Sequence, residues 1–578
     1  MKKLNIKKSL TNGITLIGYC VLVLSQTSCS DFLDILPMNE VVLENYWKEK
    51  ADVISAVNGC YEALASNDAR VRMNSWGELR SDNFTEGSGL NDNNIREILK
   101  ENLMQTNNMC DWSSVYNIIN RCNIVCHYAP EVQKIDPNYT LDEMKATIAE
   151  MTAIRAYCYF TLIRTFRDVP YTTTATIDDG QTFILPATPF NDVLDSLIVS
   201  LEAVKGDALR RTSQEKVVGN SIVVPKENVG YVTRWFIHSL LAEVYLWKGD
   251  WNNVIKNCDI VLDYKKQIYD ELLKKYGSIN DIGLFHNIPL ILEAPKGSSN
   301  VGNAYEQIFG MGSSFESIFE IYYSGQVMAS NRVCAHENDW VRTYYGSTSN
   351  TIGRLKVPNF LMAQFDTKKS PVFPSTSDCR AYEYVQLEGN SYGISKYVRR
   401  SASFKLADAP KINLGVTNYR STRDASWILY RTTEIMLMKA EALIQLGSDN
   451  YAAAFDLIND VYKRANGISP ETAGGLVLTD WNTSKEKMEE ILFLERHREF
   501  MFEGKRWFDL VRMARRDGNT RRLINNAIRK YETDVNVITV KLSDPNYIYY
   551  PYTKKELKAN PLLKQNPAYL KGEEGILK

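Results

Sequence analysis

Apolar residues at helical spacing, recurring in pairs of segments, constrain the fold of this 578-residue chain more than any other feature. Segments 231–247 and 251–262 are separated by three residues that include Gly249, and segments 430–446 and 451–465 by four that include Gly447. Apolar residues three and four positions apart are typical of an amphipathic helix. Each pair therefore predicts a helix–turn–helix unit.

Further helices are predicted at 44–65, 111–128 and 141–166, and small residues such as Ala242 and Ala440 allow close approach of neighbouring helices. The paired units resemble degenerate tetratricopeptide repeats that do not follow one another at a 34-residue period. We expect a mainly α, monomeric protein, in which a degenerate tetratricopeptide-like helical repeat scaffold carries an irregular, loop-rich inserted lobe.

That lobe is the region 263–424, which is rich in Gly, Ser, Asn and Tyr and has few helical stripes. A structureless loop of this length is implausible in a compact protein. Short strands, short helices and loops built onto the helical scaffold are the better interpretation. Binding residues are often found on such loops.

The first 28 residues have the organisation of an export signal. Four lysines within the first eight residues precede an apolar run at 14–24. The run is too short to span a membrane, which takes ~20 apolar residues, but it is typical of a secretory signal. Small and polar residues before Cys29 resemble a bacterial lipobox, which implies lipidation of Cys29. An ordinary signal peptide with a chance cysteine is the alternative.

The charge of the chain argues against a nucleic-acid-binding protein, and the spacing of its cysteines argues against a zinc protein. Without residues 1–28 the chain has 64 basic and 69 acidic residues, a formal charge of −5, whereas nucleic-acid binding requires a basic face. Cys122, Cys126 and His127 form the only local group of metal-ligating residue types, and zinc needs about four ligands. We therefore expect buried thiols, no metal and no cofactor.

Several motifs, in order along the chain, together resemble the SusD/RagB family of outer-membrane lipoproteins. The resemblance covers nearly the whole sequence, and its most specific part is the charged and aromatic segment 495–512. The motifs are the lipobox with residues 29–34, the turn motif 76–83, the helix motif 153–160 ending at 166–170, the repeat helices 239–246 and 434–442, the segment 495–512, and the C-terminal motifs 549–551, 560–561 and 565–567.

This resemblance implies a non-catalytic, surface-exposed lipoprotein of the outer membrane. It would capture an oligosaccharide and deliver it to a SusC-like TonB-dependent barrel transporter. The implied division of the chain is a signal peptide (1–28), a lipidated tether (29–40), an N-terminal SusD-like scaffold (41–262), the ligand-binding lobe (263–424) and a C-terminal SusD-like region (425–578). A peptide-binding lid of the RagB type and a glycoside hydrolase are the alternatives.

Two loop segments are candidates for the ligand site, because a sugar ring stacks on exposed aromatic rings while its hydroxyls reach polar side chains. One segment flanks the turn motif. The resemblance implies that the family's sugar-contacting loop lies here, and since loop 84–94 contains no tryptophan, the usual aromatic platform for a starch-like helical glycan is missing. The other lies within the lobe, where an exposed indole is expected. The predicted ligand-binding residues are Arg72, Asn74, Asn91, Asp92, Trp340, Tyr344 and Tyr345.

The carboxylates of the segment 495–512 are interpreted as structural. Glu495, Arg498 and Glu499 follow one another at helical spacing, so that opposite charges can pair along one helix. Trp507 and Phe508 are expected in the core. A hydrolase would instead use carboxylates such as Glu337 or Asp339 beside Trp340.

Overall fold

The computed structural model describes residues 46–177, 181, 184–209, 213–219, 221–293, 303–323, 337–347, 353–362, 370–375, 377–388, 391–404, 414–420 and 423–570. Within them the protein is mainly helical. The predicted signal peptide, the tether and Cys29 lie outside the described residues. No helix in the described ranges combines the length and the apolar character that crossing a membrane requires.

The helices fall into an N-terminal and a C-terminal group, with short helices between them. The N-terminal group comprises α1 (Lys50–Ala65), α2 (Asn67–Glu78), α3 (Asn93–Leu99), α4 (Ser113–Ile135), α5 (Leu141–Phe166), α6 (Phe190–Val204), α7 (Glu227–Gly230), α8 (Arg234–Lys248) and α9 (Trp251–Tyr276). Short helices α10 (Asn303–Tyr305), α11 (Asn359–Met362) and α12 (Arg380–Tyr384) follow. The C-terminal group comprises α13 (Thr432–Leu446), α14 (Tyr451–Ala465), α15 (Lys485–Phe500), α16 (Arg506–Asp517), α17 (Arg521–Ala527), α18 (Val535–Ser543) and α19 (Lys554–Ala559).

The described strands form antiparallel pairs. These are β1 (Thr85–Glu86) with β7 (Leu355–Lys356), β2 (Lys216–Val218) with β3 (Ser221–Val223), β4 (Ile282–Phe285) with β5 (Ile288–Ile291), β6 (Ser317–Ile321) with β12 (Trp427–Arg431), β8 (Val385–Glu388) with β9 (Ser391–Ile394), and β10 (Arg399–Phe404) with β11 (Leu414–Tyr419). Most are local hairpins, but β1–β7 and β6–β12 join the lobe to the scaffold.

The mainly helical prediction is confirmed, and two predicted helices, Leu141–Phe166 and Tyr451–Ala465, have the predicted bounds. Helix α5 begins with a capping box between Thr140 and Glu143 and is buried at every position from 149 to 166. A helix that is buried around its whole circumference is a core helix, and α5 packs against α4 and α6.

Several predicted boundaries are wrong. The helix predicted at 111–128 runs from Ser113 to Ile135, and the helix predicted at 44–65 begins at Lys50. Helix α9 continues to Tyr276, because buried Ile268 and Leu272 extend its apolar stripe past residue 262. The lobe predicted to begin at 263 therefore begins after this helix. The segment 495–512 is two helices, because Phe502 and Gly504 have φ angles of 67° and 76°, and a left-handed backbone interrupts an α-helix.

Two glutamates at this interruption, Glu499 and Glu503, form a buried glutamate hub. Glu499 accepts hydrogen bonds from Arg431 at 2.5 Å, Arg464 at 2.6 Å and Arg380 at 2.8 Å. Burial raises the pKa of Glu499, but the three guanidinium groups outweigh burial and hold it well below its usual value. The hub therefore joins α15 to the start of α13, the end of α14 and the lobe.

Glu503 extends the same hub. It accepts hydrogen bonds from Arg431 Nη2 at 2.7 Å and from Lys396 Nζ at 2.6 Å, and all three side chains are buried. Lys396 also donates to the backbone carbonyl of Met501 at 3.1 Å. A second element of the lobe is thus fixed to the break between α15 and α16.

The turn motif 76–83 docks on the other side of that break. Glu78 accepts backbone hydrogen bonds from Lys505 at 2.9 Å and Arg506 at 3.2 Å, so it caps the first turn of α16. A Cβ atom on Gly77 would lie 1.9 Å from the carbonyl oxygen of Gly504, so only glycine allows this approach. Asp82 pairs with Arg506 at 2.8 Å.

The charged and aromatic residues of the segment 495–512 are structural, as predicted. Arg498 pairs with Glu495 at 2.7 Å. Trp507 and Phe508 are buried, and the guanidinium of Arg80 lies 4.4 Å from the ring centroid of Trp507. Arg506 pairs with Asp82 of the turn motif, not with the neighbouring carboxylates of its own helix.

The described cysteines are free thiols, and all except the partly buried Cys126 are buried. Burial raises the pKa of the thiols of Cys122 and Cys158 above the usual value, as expected of thiols packed in a core. Among the described residues no group of His, Cys, Asp and Glu is arranged to hold a metal ion.

Replacing Glu499 with Gln should destabilise the protein strongly, since three buried arginines would lose a shared anionic partner. Removing one partner of a buried ion pair costs about 3–5 kcal/mol of the free energy of unfolding. Denaturant unfolding measures this. The control is Glu490→Gln, whose exposed pair with Lys487 contributes about 0–1 kcal/mol. If the two changes lowered the free energy of unfolding equally, the stabilising role of the hub would be contradicted.

Candidate functional site

The structure brings the two predicted loop segments together. Strand β1 follows the turn motif and pairs with β7 of the lobe, with Thr85 opposite Lys356. The backbone N–H of Gly87 donates to the carbonyl of Arg354 at 2.9 Å. Burial and the nearby Asp92 carboxylate raise the pKa of the Tyr344 hydroxyl. We call the region where these two segments meet the junction. It includes β1, β7, Gly87, Arg354, Asp92 and Tyr344.

The prediction that Trp340 presents an exposed ring is wrong. Trp340, Tyr344 and Tyr345 are 1%, 6% and 0% exposed. The π-helical turn Val341–Tyr345 turns the rings inward, and Trp340 packs on Tyr344 with ring centroids 4.6 Å apart. Tyr345 donates to the carbonyl of Phe502 at 2.9 Å. These aromatic rings are part of the buried interior next to the junction, and they offer no open face on which a sugar could stack.

The four predicted polar residues have different environments. Arg72, partly buried, forms an ion pair with Asp68 one helical turn earlier. Asn74 is buried and accepts a hydrogen bond from Arg70 at 2.8 Å. Asp92 caps α3 by accepting from the backbone N–H of Asn94 at 2.9 Å. Asn91 is exposed, so Arg72 and Asn91 are the better placed for ligand contact.

The junction also contains polar residues that the sequence analysis did not identify as ligand-binding. Asn67 donates to Asp339 Oδ2 at 2.7 Å. Arg423 Nη1 donates to Glu337 at 2.5 Å and to Asp339 Oδ1 at 2.8 Å. Asn67 and Asp339 are 272 positions apart, and no local pattern marks such a pair.

An open polar cleft of about 500 Å³ borders the junction at Asp68. It lies between the end of α1, the start of α2 and the first half of α4. We call it the polar cleft. Its lining residues are Gly59, Glu62, Ala63, Ser66, Asp68, Ser113, Ser114, Asn117 and Arg121. Hydroxyl, carboxylate, amide and guanidinium groups thus converge on one concavity, and no aromatic ring is among these described lining residues.

Several polar groups line this cleft or lie next to it. The hydroxyl oxygen of Ser114 is buried and has no hydrogen-bond partner among the described residues. Arg121, an exposed side chain, donates to Asn117 at 3.1 Å. Burial raises the pKa of nearby Asp111, but hydrogen bonds from Ser113 outweigh it and Arg72 adds to their effect, so the pKa is lowered overall. The cleft is therefore suited to hydrogen-bonding a ligand rich in hydroxyl groups.

The acidic residues of the junction are arranged as ion-pair partners. Glu337 and Asp339 share the single guanidinium of Arg423, and Asp339 also accepts from Asn67. A glycosidase needs two carboxyl groups with distinct roles on either side of the scissile bond. A shared cation gives Glu337 and Asp339 the same partner and no such division of roles.

Comparisons with known proteins agree with this architecture. A model of the SusD family matches residues 389–569, and a model described as starch-binding and associating with the outer membrane matches residues 31–215. SusD-like protein P38 of Formosa agariphila is 24% identical over 549 residues, covering 94% of this chain and 96% of that protein.

Solved structures have the same fold. A SusD superfamily protein from Bacteroides thetaiotaomicron has a TM-score of 0.61 at 20% identity, covering 90% of this chain and 99% of that one. A protein from Bacteroides vulgatus described as a putative sugar-binding protein has a TM-score of 0.60 at 20% identity, covering 91% of this chain and all of that one.

The two matched segments together cover more than half of the sequence, and the chain is a SusD-like protein of the SusD/RagB family. Proteins of this family are generally glycan-binding proteins associated with the outer membrane, with a role in polysaccharide utilisation. They are generally binding proteins and not enzymes. The resemblance drawn from the sequence motifs is confirmed.

Replacing Trp340 with Ala should lower the stability of the protein, because the ring is 1% exposed. Truncation of a buried tryptophan costs about 3–5 kcal/mol of the free energy of unfolding, which chemical denaturation measures. The half-buried Trp481 provides the control, and Trp481→Ala should cost less. Unchanged stability in Trp340→Ala would show that the ring is accessible after all.

Proposed function

We propose that this protein captures an oligosaccharide at the cell surface and passes it to a SusC-like TonB-dependent transporter, without chemical change to the ligand. The observation that supports this most is the polar cleft beside the junction, a concavity of about 500 Å³ lined by hydroxyl, amide and charged groups. Its described lining lacks an aromatic platform, so binding would depend on hydrogen bonds to sugar hydroxyls.

Weak binding follows from this chemistry and suits the role. A hydrogen bond that replaces one to water contributes only about 0.5–1.5 kcal/mol, and immobilising a flexible ligand offsets part of the gain. An oligosaccharide held in this way dissociates readily.

We further propose that Cys29 is lipidated and anchors the chain in the outer membrane with its folded part outside the cell. The lipobox-like segment supports this, since several acyl chains on one residue hold a protein firmly to a membrane. Residues 29–40 would be the tether. The ligand site would be the polar cleft, whose lining residues come from helices α1, α2 and α4 and the turns beside them.

Two other functions make different predictions. A peptide-binding lid would pair an extended backbone with an exposed strand edge or polar loops, but the polar cleft is lined by helices and the turns between them. A glycoside hydrolase would release new reducing ends. The paired state of Glu337 and Asp339 with Arg423 argues against hydrolysis.

The double variant Asn117→Ala/Arg121→Ala should weaken binding of the cognate oligosaccharide by about tenfold, the equivalent of two ordinary hydrogen bonds. Calorimetry with a panel of neutral glycans and peptides, followed by a reducing-end assay, gives the measurement. Arg521→Ala, an exposed arginine on another helix, is the matched control. Peptide binding without glycan binding, or new reducing ends, would contradict the proposal.

Replacing Cys29 with Ala should remove the acyl acceptor and shift the protein out of the membrane fraction, or leave it as an unprocessed precursor. Fractionation of cells that lack the partner transporter, followed by immunoblotting, measures this. Cys126→Ala, a change at a partly buried thiol, should leave the distribution unchanged. Membrane association of Cys29→Ala equal to wild type would exclude lipidation at this residue.

A further inference from the structure

A second cleft, of about 510 Å³, lies where α5, α8 and α16 end. It is formed by the turn between α8 and α9, the end of α16 and the segment 545–549. We call it the cationic cleft. Its lining residues are Arg167, Leu246, Trp247, Lys248, Gly249, Trp251, Arg512, Ala514, Arg515, Arg516, Gly518, Asn519, Thr520, Pro545, Asn546, Ile548 and Tyr549.

The charge of this lining is of one sign. Four arginines and one lysine contribute to it, and no Asp or Glu is among its described residues. Four of these cations pair with carboxylates that are not among the lining residues: Lys248 with Asp195, Arg512 with Glu441, Arg167 with Asp168, and Arg516 with Glu441, Glu489 and Asp517. Clefts lined by charges of one sign attract ligands of the opposite sign.

Arg515 is the cation best placed to bind an anion. Within the described part of the chain it forms no ion pair with a carboxylate. Its guanidinium lies 3.7 Å from the ring centroid of Phe190, and it donates from Nη1 to the hydroxyl of Tyr549 at 2.9 Å and from Nη2 to Asn191 Oδ1 at 3.5 Å. These contacts fix the guanidinium plane, and a fixed planar fork recognises oxyanions with two parallel hydrogen bonds.

The remaining wall of the cleft supplies aromatic surface. Trp251 is partly buried at the first position of α9 and lies against Gly249, whose φ of 83° forms the turn. The described lining residues belong to helices and turns, so no strand edge is present for an extended peptide to join. A sugar ring can pack against the indole while its acidic substituent meets the arginines.

We propose that the cationic cleft binds the carboxylate or sulfate group of an acidic oligosaccharide, with Arg515 as the anion-binding residue and Trp251 as the packing surface. This extends the proposed function by naming an acidic class of glycan and a second site. Basic residues also stabilise helix C-termini, and α8 and α16 both end here. Stabilisation of the helix ends explains why a basic residue lies at each of them. It does not explain why the lining of the cleft contains no acidic residue.

The test is calorimetry on the purified full chain with three probes: a galacturonic acid hexamer, maltohexaose and hexaglutamate. We expect the acidic hexamer to bind at least tenfold more tightly than the neutral one, and its affinity to fall as sodium chloride is added. Arg515→Ala should weaken acidic binding about tenfold, the value of one charge-assisted contact. Arg515→Lys should be intermediate, because lysine keeps the charge and loses the fork.

Controls separate this inference from a structural role and from the proposed function. Arg521→Ala removes an exposed arginine outside the cleft and should change nothing. Lys248→Ala removes an exposed cation of the lining, so it weakens acidic binding without unfolding even if Arg515→Ala lowers the melting temperature. The double variant Asn117→Ala/Arg121→Ala acts on the polar cleft alone.

Three outcomes would overturn the inference. One is equal affinity for the acidic and neutral hexamers; another is unchanged acidic binding in both Arg515→Ala and Lys248→Ala; the third is tighter binding of hexaglutamate, which would indicate an acidic protein partner. If only the polar-cleft variant loses glycan binding, the proposed function stands and this inference fails. If only the cationic-cleft variants lose it, the inference stands, and the polar cleft is not where the glycan binds.

Discussion

The glutamate hub holds the rest of the structure together. Glu499 and Glu503 lie where a continuous helix would otherwise run, and they bind cations from α12, α14, the end of β12 and the lobe. Such a buried network is strongly destabilised when one member is removed. It also requires a specific geometry, because each guanidinium must meet its carboxylates at hydrogen-bond distance. The position of the lobe on the scaffold follows from these contacts.

The turn motif connects this network to the candidate ligand site. Glu78 caps α16 next to the hub, and α2, which carries Asn67, Asp68 and Arg72, leads directly into the motif. The same helix contacts Asp339 of the lobe and borders the polar cleft. A rigid core thus positions a polar surface region, which is the arrangement expected of a preformed binding site.

The sequence predicts the scaffold well and the site only in part. Helices α5 and α14 have the predicted bounds. Their ends are determined by the local spacing of apolar residues and, in α5, by the proline that follows the helix. Gly504 could have indicated the break in the segment 495–512. Nothing local indicates that Trp340 is buried. It packs against Tyr345, and Tyr345 in turn contacts Trp427 and Phe502, which come from distant segments of the chain. The polar cleft could not be predicted, because Glu62 of α1 and the serines, Asn117 and Arg121 of α4 follow no pattern specific to binding.

The account as a whole depends on where an oligosaccharide binds. The most direct measurement is a crystal structure of the full chain grown with a glycan that calorimetry identifies as a ligand. We predict density for sugar rings in the polar cleft, within hydrogen-bond distance of Ser114, Asn117 or Arg121, over an unchanged arrangement of Glu499 and its three arginines. Density for the same glycan elsewhere on the surface, with the polar cleft empty at saturating ligand, would contradict the account.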